Sequence, residues 1–399
     1  MLKTELLAPA GDPECIEAAL RFGADAVYLG GEILQLRAQK AAFDRAGIRR
    51  ASETVHAAGK KLYVTVNCFM RTDEIPALSE YGRFLHDAGV DAAIVSDIGA
   101  VGVLKKNVPD LPIHISTQAN CRNAAAANVY YNMGAERVVL AREMSLDEIA
   151  ELRAGTPKTL ELEAFVHGAM CMAYSGRCLI SSYMNGRSGN RGECTQPCRW
   201  NYYLVEQKRP GEYFEVEENG ETSAILSSHD LNCIDFIDRI ADAGVSSFKI
   251  EGRMKTAYYV ATVVNAYRRR LDGSTELDAL QKELSSVSHR PFSSGFYFGE
   301  TVKNHFNDGA YRSDCLFAGV VVGKTDSGVL VQQRNRFRRG DELEVLSPDS
   351  FGASFRVGEM FSSEGEPIED AKLVAQIVTV KTDMALSVGD FLRIRVKQA

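Results

Sequence analysis

Four cysteines, Cys171, Cys178, Cys194 and Cys198, fall within one 28-residue stretch with the spacing C-x6-C-x15-C-x3-C. The surrounding segment, GAMCMAYSGRCLISSYMNGRSGNRGECTQPCRW, is rich in small and polar residues, and its glycines let a loop fold back on itself. Four thiolates can complete the shell of a tetrahedral metal ion or hold an iron–sulfur cluster. Structural zinc usually shows two short C-x2-4-C pairs, and only Cys194 and Cys198 are that close here. The spacing therefore ranks a cluster above zinc, and zinc above uncoordinated thiols. A disulfide pair would need an oxidising compartment, and the opening MLKTELLAPAGDPE has no basic stretch followed by an apolar one.

The 399 residues are enough for two or three domains, and 45% hydrophobic with 25% charged residues is the balance of a globular protein. No run of about 18 apolar residues occurs, so neither membrane insertion nor secretion is expected and the cytoplasm is the expected compartment. The net charge of −7 argues against indiscriminate nucleic-acid binding, which depends on neutralising phosphates. Two local basic runs stand out: Arg334, Arg336, Arg338 and Arg339, and Arg268, Arg269 and Arg270. Such runs are usually solvated faces, with contact to RNA as the functional alternative.

The elements that must position the cysteines follow one grammar: a helical stretch, a Gly-Ala or Gly-Val turn, then a short apolar strand. GADAVYLG (23–30), GVDAAIVSD (89–97), GAERVVLARE (134–143) and GVSSFKIEGR (244–253) share it. ELLAPAG (5–11), KKLYVTVN (60–67), PIHISTQA (112–119) and LELEAFVHG (160–168) supply four more strands, with helix-periodic stretches between. Eight alternating units predict an α/β fold, a (β/α)8 TIM-like barrel over 1–270 with a long Cys-rich loop, 167–233, after its seventh strand. An open doubly wound sheet is the rival, but no G-x-G-x-x-G follows the first strand. In a barrel the active face lies at the carboxyl ends of the strands. Those ends carry Gly11, Asp12, Gly30, Asn67, Ser96, Asp97, Gln118, Asn120, Arg142, Glu143, His167, Glu251 and Arg253, on the same surface as the cysteine loop. After a connector (271–314), residues 315–399 alternate as short strands separated by turn signals such as TDSG, RRGD and VGD, the pattern of a small all-β barrel. RPGEYFEVEENGET (209–222) reads as a polar excursion before the eighth strand.

The segment FVHGAMCMAYSGRCLISSYMNGR resembles the signature of the collagenase-like peptidase family of unknown catalytic type. ELLAPAG, GADAVYLG, HISTQAN, VVLAREMSLDEI, GECTQPCRW, FKIEGRMKTAYYVATV and QQRNRFRRGDELEVLSP extend the likeness over nearly the whole chain. Length and the β tail look most like the prephenate-dependent tRNA uridine hydroxylases, which place a hydroxyl at C5 of the wobble uridine independently of molecular oxygen. The resemblance implies a [4Fe–4S] cluster on Cys171, Cys178, Cys194 and Cys198, prephenate as co-substrate and tRNA as partner. It also makes Cys233, in SSHDLNCID, an alternative ligand. Prephenate is a dicarboxylate, which calls for paired cationic donors. Arg142 and Arg253 are the candidates, with Arg37 a third, and Gln118 and Asn120 are placed to read a base edge. Glu143, His167 and Glu251 complete the expected catalytic set.

The family's peptidase name is a second reading. A cysteine protease needs a thiolate, a His base and an orienting group, and His167 lies four residues before Cys171. A cluster would occupy that sulfur, and neither H-E-x-x-H nor G-x-S-x-G occurs. A zinc-stabilised RNA-binding scaffold is the third reading. Trp200, beside the last cysteine of the set, is either packing or a stacking platform for a base.

Overall fold

The structure is a computed structural model. It describes residues 4–36, 43–171, 178–187, 189, 192–200, 203–204, 208, 214–215, 229–299, 311–326 and 328–396. Seven parallel strands follow one another: β1 (Glu5–Pro9), β2 (Ala26–Gly30), β3 (Lys61–Val66), β4 (Ala92–Val95), β5 (Ile113–Ile115), β6 (Arg137–Val139) and β7 (Glu161–Ala169). After the cysteine loop comes β8 (Asp230–Asn232), which runs antiparallel to the end of β7. Then β9 (Ser247–Ile250) pairs in parallel with both β7 and β1 and closes the eight-stranded barrel. The short β10 (Phe292–Ser293) lies parallel beside β8, outside the barrel.

Helices connect the staves. Among them are α1 (Pro13–Arg21), α2 (Arg45–Ala57), α3 (Ile75–Asp87), α4 (Ile98–Asn107), α5 (Ala124–Asn132) and α6 (Leu146–Ala154). Several start where a short polar side chain can take up an orphan amide. The carboxylate of Asp12 accepts from the Cys15 N–H with Pro13 opening the helix, Asp97 caps α4, and Ser145 with Glu148 forms a capping box on α6. Thus Asp12 and Asp97, two of the strand-end polar residues, start helices. The cysteine loop contains α7 (Ile180–Asn185), then α8 (Ile237–Asp242), α9 (Ala257–Leu271) and α10 (Leu277–Leu284) follow.

The strands read as near-continuous apolar runs because both faces are covered. One large core fills the space between staves and helices, and a small one, with Leu7, Ala26, Tyr28, Tyr63, Ala92 and Ile94, lies inside the barrel. The amino-terminal end of the interior is charged: Arg137 pairs with Glu5, Glu161 (2.6 Å) and Glu163 (3.0 Å), and Glu163 also accepts from Lys249 at 2.7 Å. Arg137, Glu163 and Lys249 are all buried, so each ion is held by its partners rather than by water.

The tail forms an eight-stranded antiparallel half-barrel sheet. Its strands are β11 (Cys315–Thr325), β12 (Gly328–Gln333), β13 (Glu342–Leu346), β14 (Ser354–Arg356), β15 (Met360–Phe361), β16 (Pro367–Ile368), β17 (Ile377–Lys381) and β18 (Phe391–Arg395). They lie in the order β14-β13-β18-β11-β12-β17-β15-β16 around a core of their own. The sheet docks on the barrel through Tyr258 of α9, stacked on Phe317 (4.9 Å between centroids). Arg393 adds a bidentate bond to Glu283 of α10 at 2.8 and 2.7 Å.

Both basic runs are engaged with other parts of the fold. Arg334 meets Glu14 of α1 at 2.7 Å, Arg336 pairs with Asp370, and Arg339 reaches Glu369 at 3.5 Å. In the other run Arg268 pairs with Asp25, Arg269 donates to the Pro348 carbonyl and Arg270 pairs with Asp238. The tail run, read in the sequence as a possible RNA contact, is largely neutralised by neighbouring carboxylates.

Candidate active site at the mouth of the barrel

Inward positions alternate along each stave, so the polar residues among them stack in levels up the barrel axis. Above the charged amino-terminal layer, Lys249 lies 4.3 Å from the Tyr28 ring centroid and 5.6 Å from that of Phe165. Near the carboxyl end, Arg253 is 5% exposed and donates from Nη1 to Gln35 Oε1 and to Thr65 Oγ1, both at 2.9 Å. Gly30 makes room for this group, because a Cβ there would lie 2.5 Å from Gln35 Oε1 and 2.6 Å from Arg253 Nη1.

Arg142, just beyond β6, turns toward the first cysteine. Its Nη1 donates to the Ala169 carbonyl at 3.1 Å and its guanidinium lies 5.3 Å from the Phe165 ring centroid. It also hydrogen-bonds Cys171 and feels the charges of Glu251 and Glu143. The ends of β7 and β9 approach closely: the Glu251 N–H donates to the His167 carbonyl at 2.9 Å. Gly168 has φ +105°, and a Cβ there would sit 2.4 Å from the Glu251 oxygen, so this junction requires glycine. The fold therefore brings Arg142, Glu143, Glu251 and Cys171 into one neighbourhood at the mouth.

The other expected residues are placed as follows. Gln118 lies in the 3-10 turn Thr117–Ala119 after β5, and Asn120 follows it in a left-handed conformation, φ +56°. Asn120 Oδ1 is buried and has no hydrogen-bond partner among the described residues. Asn67 accepts from the Leu36 N–H, and Ser96 Oγ donates to the Asn67 carbonyl, knitting the loops after β3 and β4. Arg37 lies outside the described residues. His167 is 1% exposed and is packed outside the barrel against Tyr259, Tyr267 and Phe292, with ring centroids 5.5–6.2 Å away. Burial pushes its pKa down to about 3, so it is neutral and enclosed, not a titrating group facing the mouth.

Cys171 and Cys194 are exposed, and Cys178 and Cys198 half-buried. Cys171 receives the Arg142 guanidinium, and Cys194 Sγ accepts the Gln196 N–H at 3.4 Å. These are the donor contacts that sulfur ligands of a cluster accept, so the residue types fit such a group. Among the described residues, no three of His, Cys, Asp and Glu converge closely enough to hold a metal ion. Cys233 is 0% exposed and its N–H donates to the Val166 carbonyl, while burial raises its thiol well above the ordinary range. It sits in the core, apart from the two exposed thiols.

Sequence reasoning missed Gln35, Thr65, Tyr28 and Lys249. Three of them carried a signal, being polar-tipped residues at inward positions of apolar strands. Gln35 carried none, because a loop residue has no period to read.

A (β/α)8 barrel with arginines at its mouth and a four-cysteine loop after its seventh stave defines an enzyme-like scaffold whose chemistry sits at one end. The chain belongs to peptidase family U32: the family model matches residues 11–307, and the model of the family's C-terminal domain matches 313–393. It is 35% identical to tRNA hydroxylation protein P1 of Bacillus subtilis, over 98% of this chain and 94% of that one. It is 34% identical to tRNA hydroxylation protein P of Escherichia coli, over 98% and 97%. A protein of Porphyromonas gingivalis named collagenase is 32% identical over 92% of both chains.

Proposed function

We propose that this protein is an RNA hydroxylase acting on tRNA, that it forms 5-hydroxyuridine at the wobble position, and that prephenate is its co-substrate. The observation that carries the reading is the nearly full-length likeness to two proteins named for tRNA hydroxylation. Cys171, Cys178, Cys194 and Cys198 would hold a [4Fe–4S] cluster, which when bound supplies one-electron chemistry. Arg253, held by Gln35 and Thr65 at the carboxyl end of the barrel, is the cation assigned to a carboxylate entering the mouth. Arg142 ties the loop to the barrel through Ala169 and Cys171 and places a second positive charge beside that opening. Gln118 and Asn120 supply amides at the rim for a base edge. The cytoplasm, where tRNA and reduced thiols coexist, is the compartment this reading requires.

The peptidase reading draws on the collagenase relative. Its one His–Cys candidate pair is weakened by His167, which is neutral and enclosed by aromatic rings. The test is mass spectrometry of tRNA nucleosides from cells with and without the gene. Loss of 5-hydroxyuridine on deletion, restored by the wild-type gene, is the expected result. An unchanged nucleoside profile overturns the reading.

A further inference from the structure

We propose that the amino-terminal end of the barrel, opposite the mouth, holds a second ligand site, and that this site takes a free amino acid. It draws on none of the residues at the mouth and does not depend on the RNA reading. A cavity of about 430 Å³ opens there, lined among others by Lys61, Tyr63, His114, Glu136, Arg137 and Glu161. A small organic molecule fits a space of that size. One wall is the row His114, Arg137 and Glu161, paired in register across β5, β6 and β7. Tyr63 packs against this row, 4.7 Å from the His114 ring and 5.2 Å from the Arg137 guanidinium.

One polar group in the wall is not satisfied by the chain. His114 is 5% exposed, and its Nδ1 is buried with no hydrogen-bond partner among the described residues. Burial, with Arg137, Lys249 and Lys61 nearby, pushes its pKa well below 6.5, so the ring is neutral and carries one N–H and one lone pair. A buried N–H with no acceptor is the rarer arrangement, which puts the lone pair on Nδ1 and the N–H on Nε2. Nε2 is then the donor that this ring brings to the cavity. A buried polar ring at a cavity wall, left unbonded by its own chain, marks a place that something else completes.

Charge across the cavity selects the occupant. Lys61 stands on the β3 side, whereas Glu136 precedes β6 and Glu161 lies on β7, which faces β3 across the closed sheet. Both Arg137 bonds to Glu161, 2.8 Å from Nε and 2.6 Å from Nη2, fall on Oε2, so Oε1 is left for the cavity. A molecule with a carboxylate and an ammonium matches this polarity. Its carboxylate meets Lys61 and the His114 N–H, and its ammonium meets Glu136 and Glu161. Asp91 makes a third carboxylate in the lining, and the charge of Arg137 is already taken up by Glu5, Glu161 and Glu163. Dianions such as phosphate or a dicarboxylate are therefore disfavoured. A metal ion does not suit the site either, because no three ligand side chains converge among the described residues.

The test is isothermal titration of the full-length protein with each standard amino acid and, for one that binds, with its decarboxylated amine and its deaminated acid. An amino acid should bind, and each single-charge analogue should bind at least about tenfold more weakly, the loss of a charge-assisted hydrogen bond. His114→Phe, which keeps a ring against Tyr63, should weaken binding about 10- to 150-fold. Lys61→Met and Glu136→Gln, both exposed changes that leave folding intact, should each weaken it about 2- to 5-fold. Arg253→Ala, at the other end of the barrel, should bind the amino acid as wild type. Absence of binding by every amino acid overturns the proposal and leaves the cavity to water. Equal binding by the bare amine also overturns it, in favour of an organic cation. So does binding that is lost in Arg253→Ala and kept in His114→Phe, which moves the ligand to the mouth. None of these results bears on hydroxylation, and an unmodified tRNA profile does not bear on this site.

Discussion

Replacing His167 with phenylalanine should make the protein more resistant to mild acid. The wild-type imidazole is enclosed by Tyr259, Tyr267 and Phe292, and burial lowers its pKa from 6.5 to about 3. Asp230 opposes that shift, and His289 and Lys255 add to it. In the unfolded chain His167 takes up a proton below about pH 6.5, whereas in the folded chain it stays neutral until about pH 3. The unfolded state then binds more protons, so the stability present above pH 6.5 drains away as the pH falls toward 3. At pH 4.5 the loss is two pH units at about 1.36 kcal/mol each, or about 2.7 kcal/mol. For a protein of this size that corresponds to a drop of roughly 3 °C in the thermal midpoint. His114, also buried and shifted downward, contributes equally to both proteins and cancels. The assay compares thermal midpoints of wild type and His167→Phe at pH 7.5 and 4.5, and the variant should lose less by about that amount. The phenyl ring keeps the aromatic packing, so tRNA modification at neutral pH should persist. Parallel acid profiles would refute the buried neutral imidazole, and lost activity in a stable variant would restore His167 to the chemistry.

Single Cys→Ala changes at positions 171, 178, 194 and 198 should each empty anaerobically purified protein of iron and acid-labile sulfide, while Cys233→Ala should retain them. The reverse pattern, with Cys233 required and Cys198 dispensable, would reassign a ligand. Arg253→Ala should weaken use of the dicarboxylate by about 2–5 kcal/mol with the cluster retained; wild-type turnover at limiting co-substrate would make Arg253 purely structural. Glu163→Ala should destabilise the barrel by about 3–5 kcal/mol, because Lys249 and Arg137 lose a fully buried partner. A urea midpoint unchanged from wild type would show that water or rearrangement meets those charges.

Eight staves were legible because each is a short apolar run, four of them after a Gly-Ala or Gly-Val turn, and alternation with helices leaves few closed topologies. The helix starts at Asp12, Asp97 and Ser145 are equally local, since a cap needs only the next three residues. The four-cysteine loop and the arginines at 142 and 253 were visible from residue type and from their place at strand ends. What the chain could not show is which side of a strand end each side chain takes. His167 and Arg253 end neighbouring staves, yet one packs outward among the aromatic rings and the other inward onto Gln35 and Thr65. The irregular register where β7 meets β9 is a property of the paired strands, and neither strand contains it alone. Charge partners have the same origin. RNRFRR reads as a basic patch until folding brings Glu14 and Asp370, hundreds or tens of residues away in sequence, against Arg334 and Arg336. Periodicity and caps are short-range physics and can be read from neighbours along the chain. Burial, pairing and the direction a side chain faces depend on residues distant in sequence, and only the closed barrel with its docked tail decides them.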